Sequence, residues 1–120
     1  MMSRGVRESD WKLFRELRER ALERFTERTL KELVALADDA SLTHHQRYLA
    51  IWELLRDRDR QLARAFDNSA RSRMLQQLIV MHAEGIVESE EFGRFTEQTR
   101  ATVESLLEFE RSSDRRPARP

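Results

Sequence analysis

The chain has no cysteine, which excludes disulfides, thiolate nucleophiles and cysteine-ligated zinc. Its three glycines, Gly5, Gly85 and Gly93, are too scattered to build a phosphate-cradling loop, and no GxxxxGK(S/T), GxGxxG or GxSxG pattern occurs. The longest apolar run, Leu78-Ile79-Val80-Met81, is far too short to span a bilayer. The opening MMSRGVRESD contains no apolar segment that could serve as a secretory signal. These absences lead to the expectation of a cytoplasmic protein with no membrane association.

Neither sign of charge predominates: 22 basic residues face 22 acidic ones. A broad positive field, of the kind non-specific nucleic-acid binding needs, is therefore missing. Lysine is scarce as well, with only Lys12 and Lys31; arginine in its place reads as the codon usage of a GC-rich genome acting on weakly constrained surface charges.

What is present is helical. At 120 residues the chain fits one domain with a single core, and 39% hydrophobic against 37% charged residues suits a small helix-rich protein. Tyr48, Trp52, Leu55, Asp59, Leu62 and Phe66 recur at spacings of four and three, which lays them along one face of a helix. Such a stripe is expected to bury itself against other helices. The expected architecture is an all-α, compact bundle of four principal helices plus a one-turn helix. It comprises a flexible start (1–8), one helical domain (9–110) and a disordered basic tail (111–120), because RSSDRRPARP has no apolar residue to offset its ordering entropy.

Helix boundaries follow from caps. Ser9 is expected to cap a first helix running to about Ala37, with Asp10 in its first turn facing the helix dipole. Trp11, Phe14, Ala21, Leu22, Phe25, Leu33 and Leu36 form its apolar face, while Leu13, Leu17, Leu30 and Val34 add apolar surface beside it. A helix wetted on so narrow a side is expected to lie centrally or to meet a second chain, so these last four residues are the candidate interface of a homodimer. Thr43 and Gln46 match a capping box for a second helix from about His44 to Phe66. Asp67-Asn68-Ser69 break that helix. A third runs from about Ala70 to Glu84 and stops at Gly85, with Ile86 placed for the accompanying apolar contact. Ser89 is expected to cap one turn, with Phe92 and Phe95 pointing inward, and Thr96 to cap a last helix holding Val103, Leu106, Leu107 and Phe109.

Candidate chemistry is sparse. His44 and His45 are adjacent, which points them about 100° apart on a helix, so they cannot chelate one metal from one face. Glu88, Glu90 and Glu91 read as ordinary helix-start acids. No catalytic residue, metal site or cofactor is expected. Asp59 is the one carboxylate in an apolar stripe; burial there would require a cation and hydrogen-bond donors, and Arg56, Arg71 and His82 are the expected members of a buried polar network with it.

The arginine-rich region from Arg56 to Arg73 sets six arginines, Arg56, Arg58, Arg60, Arg64, Arg71 and Arg73, against four acids in and beside it, Glu53, Asp57, Asp59 and Asp67. The short connection between the second and third helices imitates a helix-turn-helix, with Arg71, Arg73, Gln76 and Gln77 on the second member. The interleaved acids read instead as a solvated face. The leading expectation is a non-catalytic helical interaction or regulatory module, partnered by a second copy or another protein. A small nucleic-acid-binding regulator using the arginine region stands second.

The segments Ser9-Asp10-Trp11-Lys12-Leu13-Phe14, Arg71-Ser72, Gly85-Ile86 and Phe95-Thr96 together resemble a group of short bacterial proteins of unknown function, over about residues 9–107. Some members carry transporter-like names, which cannot describe a chain with no membrane span. The resemblance implies a small, all-helical, cytoplasmic bacterial protein and carries no catalytic residue to transfer.

Overall fold

Helix α1 (Glu8–Ala37) turns at Asp38–Thr43 into α2 (His44–Phe66), and the two lie antiparallel as a long hairpin. A 3-10 turn (Arg71–Arg73) leads into α3 (Met74–Ala83), followed by the short α4 (Ser89–Gly93) and by α5 (Glu97–Asp114). The computed structural model describes residues 6–114, with side chains through Ser112. The chain is all-α, and among the described residues there is no strand. No described helix is long and apolar enough to cross a membrane.

The expected caps form where their residues satisfy free backbone groups. Thr43 Oγ1 accepts from the Gln46 amide at 3.1 Å while Gln46 Oε1 accepts from the Thr43 amide at 2.8 Å. Gly85, at φ 75°, ends α3 in the left-handed conformation that a side chain resists; the Ile86 amide then reaches Met81 O at 3.2 Å. Arg47 of α2 donates to Ala37 O at 2.8 Å, neutralising a carbonyl that α1 leaves free at its C-terminus.

Three expectations at the helix ends are corrected. Ser9 lies inside α1, whose N-cap position is Arg7 and carries no side-chain cap. Ser89 is the first residue of α4 rather than its cap: the capping position is Glu88, whose amide donates to Glu91 Oε1 at 3.0 Å. The last helix continues through Asp114, so the expected tail is helical at its start; residues 1–5 of the expected flexible start and 115–120 of the tail lie outside the described residues.

The core gathers around α3. Met74, Leu78 and Met81 are fully buried, packed with Phe14, Leu17, Ala21 and Phe25 of α1, Ala65 and Phe66 of α2, and Val103 and Leu107 of α5. Only the base of the hairpin takes part. Among the described residues its far half extends past α3 with no third helix on it, and the radius of gyration, 17.6 Å, exceeds the ~14 Å of a tightly packed chain this long.

Candidate interaction surface

Two strips, each mostly apolar, run side by side along α2, and α1 covers only one. The covered strip comprises Ala50, Ile51, Leu54, Arg58, Gln61, Leu62 and Ala65, all half-buried or buried. The expected stripe sits one residue further round, a rotation of about 100°. It converges on the core only at Leu62 and Phe66. Tyr48, Trp52 and Leu55 are 69%, 51% and 41% exposed, and Asp59 is exposed as well. The same one-residue offset separates Leu30 and Val34, 62% and 59% exposed, from the covered Thr29 and Leu33 of α1. In an antiparallel pair of right-handed helices, residues one position past the contact strip turn to the same side on both. The hairpin therefore has one bare apolar side formed by Leu30, Val34, Tyr48, Trp52 and Leu55.

The level of these residues is set by an ion pair across the hairpin. Arg58 grips Glu32 with two bonds, Nε to Oε1 at 3.0 Å and Nη2 to Oε2 at 2.9 Å. The guanidinium holds the Glu32 carboxyl below its ordinary range, and the two carboxylates beside Arg58, Glu32 and Asp57, raise the Arg58 value. Side chains on a helix lean toward its N-terminus, so Glu32 lies alongside residues of α2 that precede Arg58. Leu30 and Val34 are thereby brought level with Trp52 and Leu55.

Of the four interface residues expected from the sequence, two are on this side. Leu17 is 2% exposed and belongs to the core, so it cannot meet a second chain. Leu13 is half-buried against the same core. Both lie near the base of α1, where α3 and α5 supply the cover that the far half lacks.

The expected buried network around Asp59 is not formed. Asp59 points to solvent because α2 is turned about 100° from the facing the stripe implied. Arg56 instead lies over the Trp52 ring, 4.6 Å from its centroid. Arg71 pairs with Glu8 at the start of α1. His82 is half-buried with its ring edge-on to Phe92 at 4.4 Å.

On the opposite side the base of the hairpin is covered, and arginines hold the cover on; further out, Lys31, Ala35, Glu53 and Asp57 are exposed there as well. Arg24 donates twice to Glu91, at 2.7 and 2.8 Å, and once to Ile86 O at 3.0 Å. Arg20 adds a bond to Glu91 at 3.0 Å, and Arg28 reaches Glu84 O at 2.9 Å. Glu91 is nearly buried, and the Arg24 bonds, helped by the Glu88 amide and Arg20, outweigh desolvation and hold its carboxyl at about 2. Arg24 is raised in turn by Glu91. Glu91 was expected to be a plain helix-start acid. The signal that marks it is on α1: arginines at i, i+4 and i+8 repel one another unless acceptors elsewhere take them up.

The turn after α2 is occupied too. Arg18 donates to Ser69 Oγ at 3.0 Å and to Phe66 O at 2.8 Å; Ser69 Oγ donates to Gln77 Oε1 at 2.9 Å, and Gln77 Nε2 to Asp67 O at 2.7 Å. Gln77, one of the residues expected to read a groove, is fully buried in this knot, and α3 is the centre of the core. Of the other three, Arg71 and Gln76 are exposed and Arg73 is half-buried. Between the hairpin and the end of α3 lies a recess of about 210 Å³ lined by Phe25, Arg28, Thr29, Glu32, Arg58, Gln61 and Glu84, where Arg58 is taken up by Glu32 and Arg28 by Glu84 O. Among the described residues no three His, Asp or Glu side chains cluster as metal ligands would.

Asp10 is the residue whose role the sequence hid most completely. It is fully buried and its two oxygens take the Thr96 amide at 3.0 Å, the Thr96 hydroxyl at 2.7 Å and the Thr99 hydroxyl at 2.6 Å. It caps α5 from α1. Compared with family models, curated proteins and solved structures, the chain matches none of them.

Proposed function

We propose that this protein is a non-catalytic helical interaction module that self-associates through the bare side of the α1–α2 hairpin. The observation that carries the reading is the grouping of Leu30, Val34, Tyr48, Trp52 and Leu55 on one side of the hairpin, with Leu49 the one other exposed large apolar residue among the described residues of the two helices. At the exposures given, and with about 150–250 Å² for a whole aromatic side chain, these five present on the order of 500 Å². That is near the upper range of apolar patches on monomers and over half of the ~800 Å² each partner contributes to a standard interface.

The polar groups elsewhere support a scaffold rather than a catalyst. Glu91, the acid with the largest shift, is saturated by Arg20, Arg24 and a backbone amide, so it has no free lone pair to take a substrate's proton. Asp10 is likewise filled by a capping role. Sedimentation equilibrium of the intact chain tests the reading: a dimer mass at tens of micromolar is expected, and a monomer mass at several hundred micromolar overturns it.

A further inference from the structure

The bare stripe on α2 carries a hydroxyl at one end and its single carboxylate at the other. Tyr48, Trp52, Leu55 and Asp59 lie at spacings of four, three and four, a series that reads the same in either direction. All four side chains are exposed on the same side of the hairpin. The Tyr48–Asp59 and Trp52–Leu55 pairs share one midpoint, between Glu53 and Leu54.

We infer that the occupant of this side is a second copy of the chain, packed antiparallel about a two-fold axis through that midpoint. The inference rests on the self-association just proposed and adds its geometry. In such a pair Trp52 lies against the partner's Leu55, and the Tyr48 hydroxyl donates to the carboxylate of the partner's Asp59. Because the symmetry is two-fold, each contact occurs twice. The same axis runs across α1 at the level fixed by the Arg58–Glu32 pair, where Leu30 meets the partner's Val34. Two hairpins then stack face to face as a four-helix arrangement in which α1 covers α1 and α2 covers α2.

This pairing accounts for a carboxylate in an otherwise apolar stripe. In a parallel arrangement Asp59 would face the partner's Asp59, two like charges in a drying interface. In the antiparallel one it finds a hydroxyl donor and the axis stays apolar. Arg56, stacked on the outer face of the Trp52 ring at 4.6 Å, fixes that ring from the rim and leaves its other face to the partner.

The absence of native cysteine makes the geometry directly testable. Tyr48 and Asp59 of one helix are eleven positions apart, about 16 Å along the axis, well outside the ~4.4–6.8 Å Cα separation a disulfide accepts. A chain carrying both Tyr48→Cys and Asp59→Cys should oxidise to a covalent dimer, while either single variant should stay uncrosslinked under the same conditions. A second arm uses charge: Tyr48→Glu and Asp59→Lys should each weaken dimerisation at least tenfold, and their combination should restore it. Self-crosslinking of the single variants, or a dimeric wild type with neither crosslinking nor charge rescue, overturns the antiparallel pairing and leaves self-association standing. A wild-type chain that sediments as a monomer at several hundred micromolar overturns both.

Discussion

Asp10 holds the N-terminus of α5 through a residue 86 positions later in the chain: its Oδ1 accepts the Thr96 amide at 3.0 Å. A carboxylate in the first turn of one helix that holds the cap of another ties the two ends of the fold together, and its burial leaves no water to take over its bonds. Asp10→Ala strands the Thr96 amide and two hydroxyls and should cost about 3 kcal/mol. Asp10→Asn, which keeps one acceptor oxygen, should cost about 1 kcal/mol. Urea unfolding of the two variants separates these outcomes; an alanine variant as stable as the wild type removes the cap from the account.

Glu91 gives the fold an acid-sensitive joint between α1 and α4. Its folded-state value, about 2, lies below the ordinary 4.5. Its contribution is therefore full above about pH 4.5 and lost as pH falls toward 2, an amount on the order of 2–3 kcal/mol. Glu91→Gln should be less stable at pH 7 and should lose less on acidification than the wild type. Urea midpoints at pH 7, 4.5, 3 and 2 measure both; parallel curves for the two proteins would show that Glu91 is not the titrating group.

Two glycines make a matched test of backbone conformation. At Gly85, with φ 75°, an added Cβ would meet Arg28 Nη1 at 3.9 Å, an ordinary contact, so the cost of Gly85→Ala is conformational and should be about 1–2 kcal/mol. At Gly93, the last residue of α4, an added Cβ meets nothing within 4 Å. Gly93→Ala should stabilise by up to about 1 kcal/mol. Thermal melts that shift in opposite directions bear out the distinction.

The parts of this fold legible from sequence are those set by local chemistry. The Thr43–Gln46 capping box, the break at Asp67–Ser69 and the stop at Gly85 each need only neighbouring residues, and each is present. What depends on distant partners was hidden. Asp10 looks like any first-turn acid until Thr96 and Thr99 are brought to it. The Arg20–Arg24–Arg28 series looks like a solvated face until the 84–91 segment folds onto it. On α2 the pattern misled for a physical reason: Ile51 and Leu54 compete with Trp52 and Leu55 for the inner position, and the Glu32–Arg58 pair, which the period does not register, helps hold the first set inward.

Leu54 and Leu55 turn that competition into a measurement. They are adjacent, chemically identical and about 100° apart on α2. Leu54 faces α1 and is half-buried, whereas Leu55 is 41% exposed on the bare side. Leu54→Ala removes packing inside one chain and should cost about 1–3 kcal/mol at any protein concentration. Leu55→Ala should change the stability of the dilute monomer by less than about 0.5 kcal/mol. Its effect should emerge only where copies meet, as a weaker dimer in sedimentation and a smaller rise of the melting temperature with concentration. If Leu55→Ala destabilises the dilute chain as much as Leu54→Ala does, α2 faces inward by the stripe first expected, and the bare side, with everything argued from it, is lost.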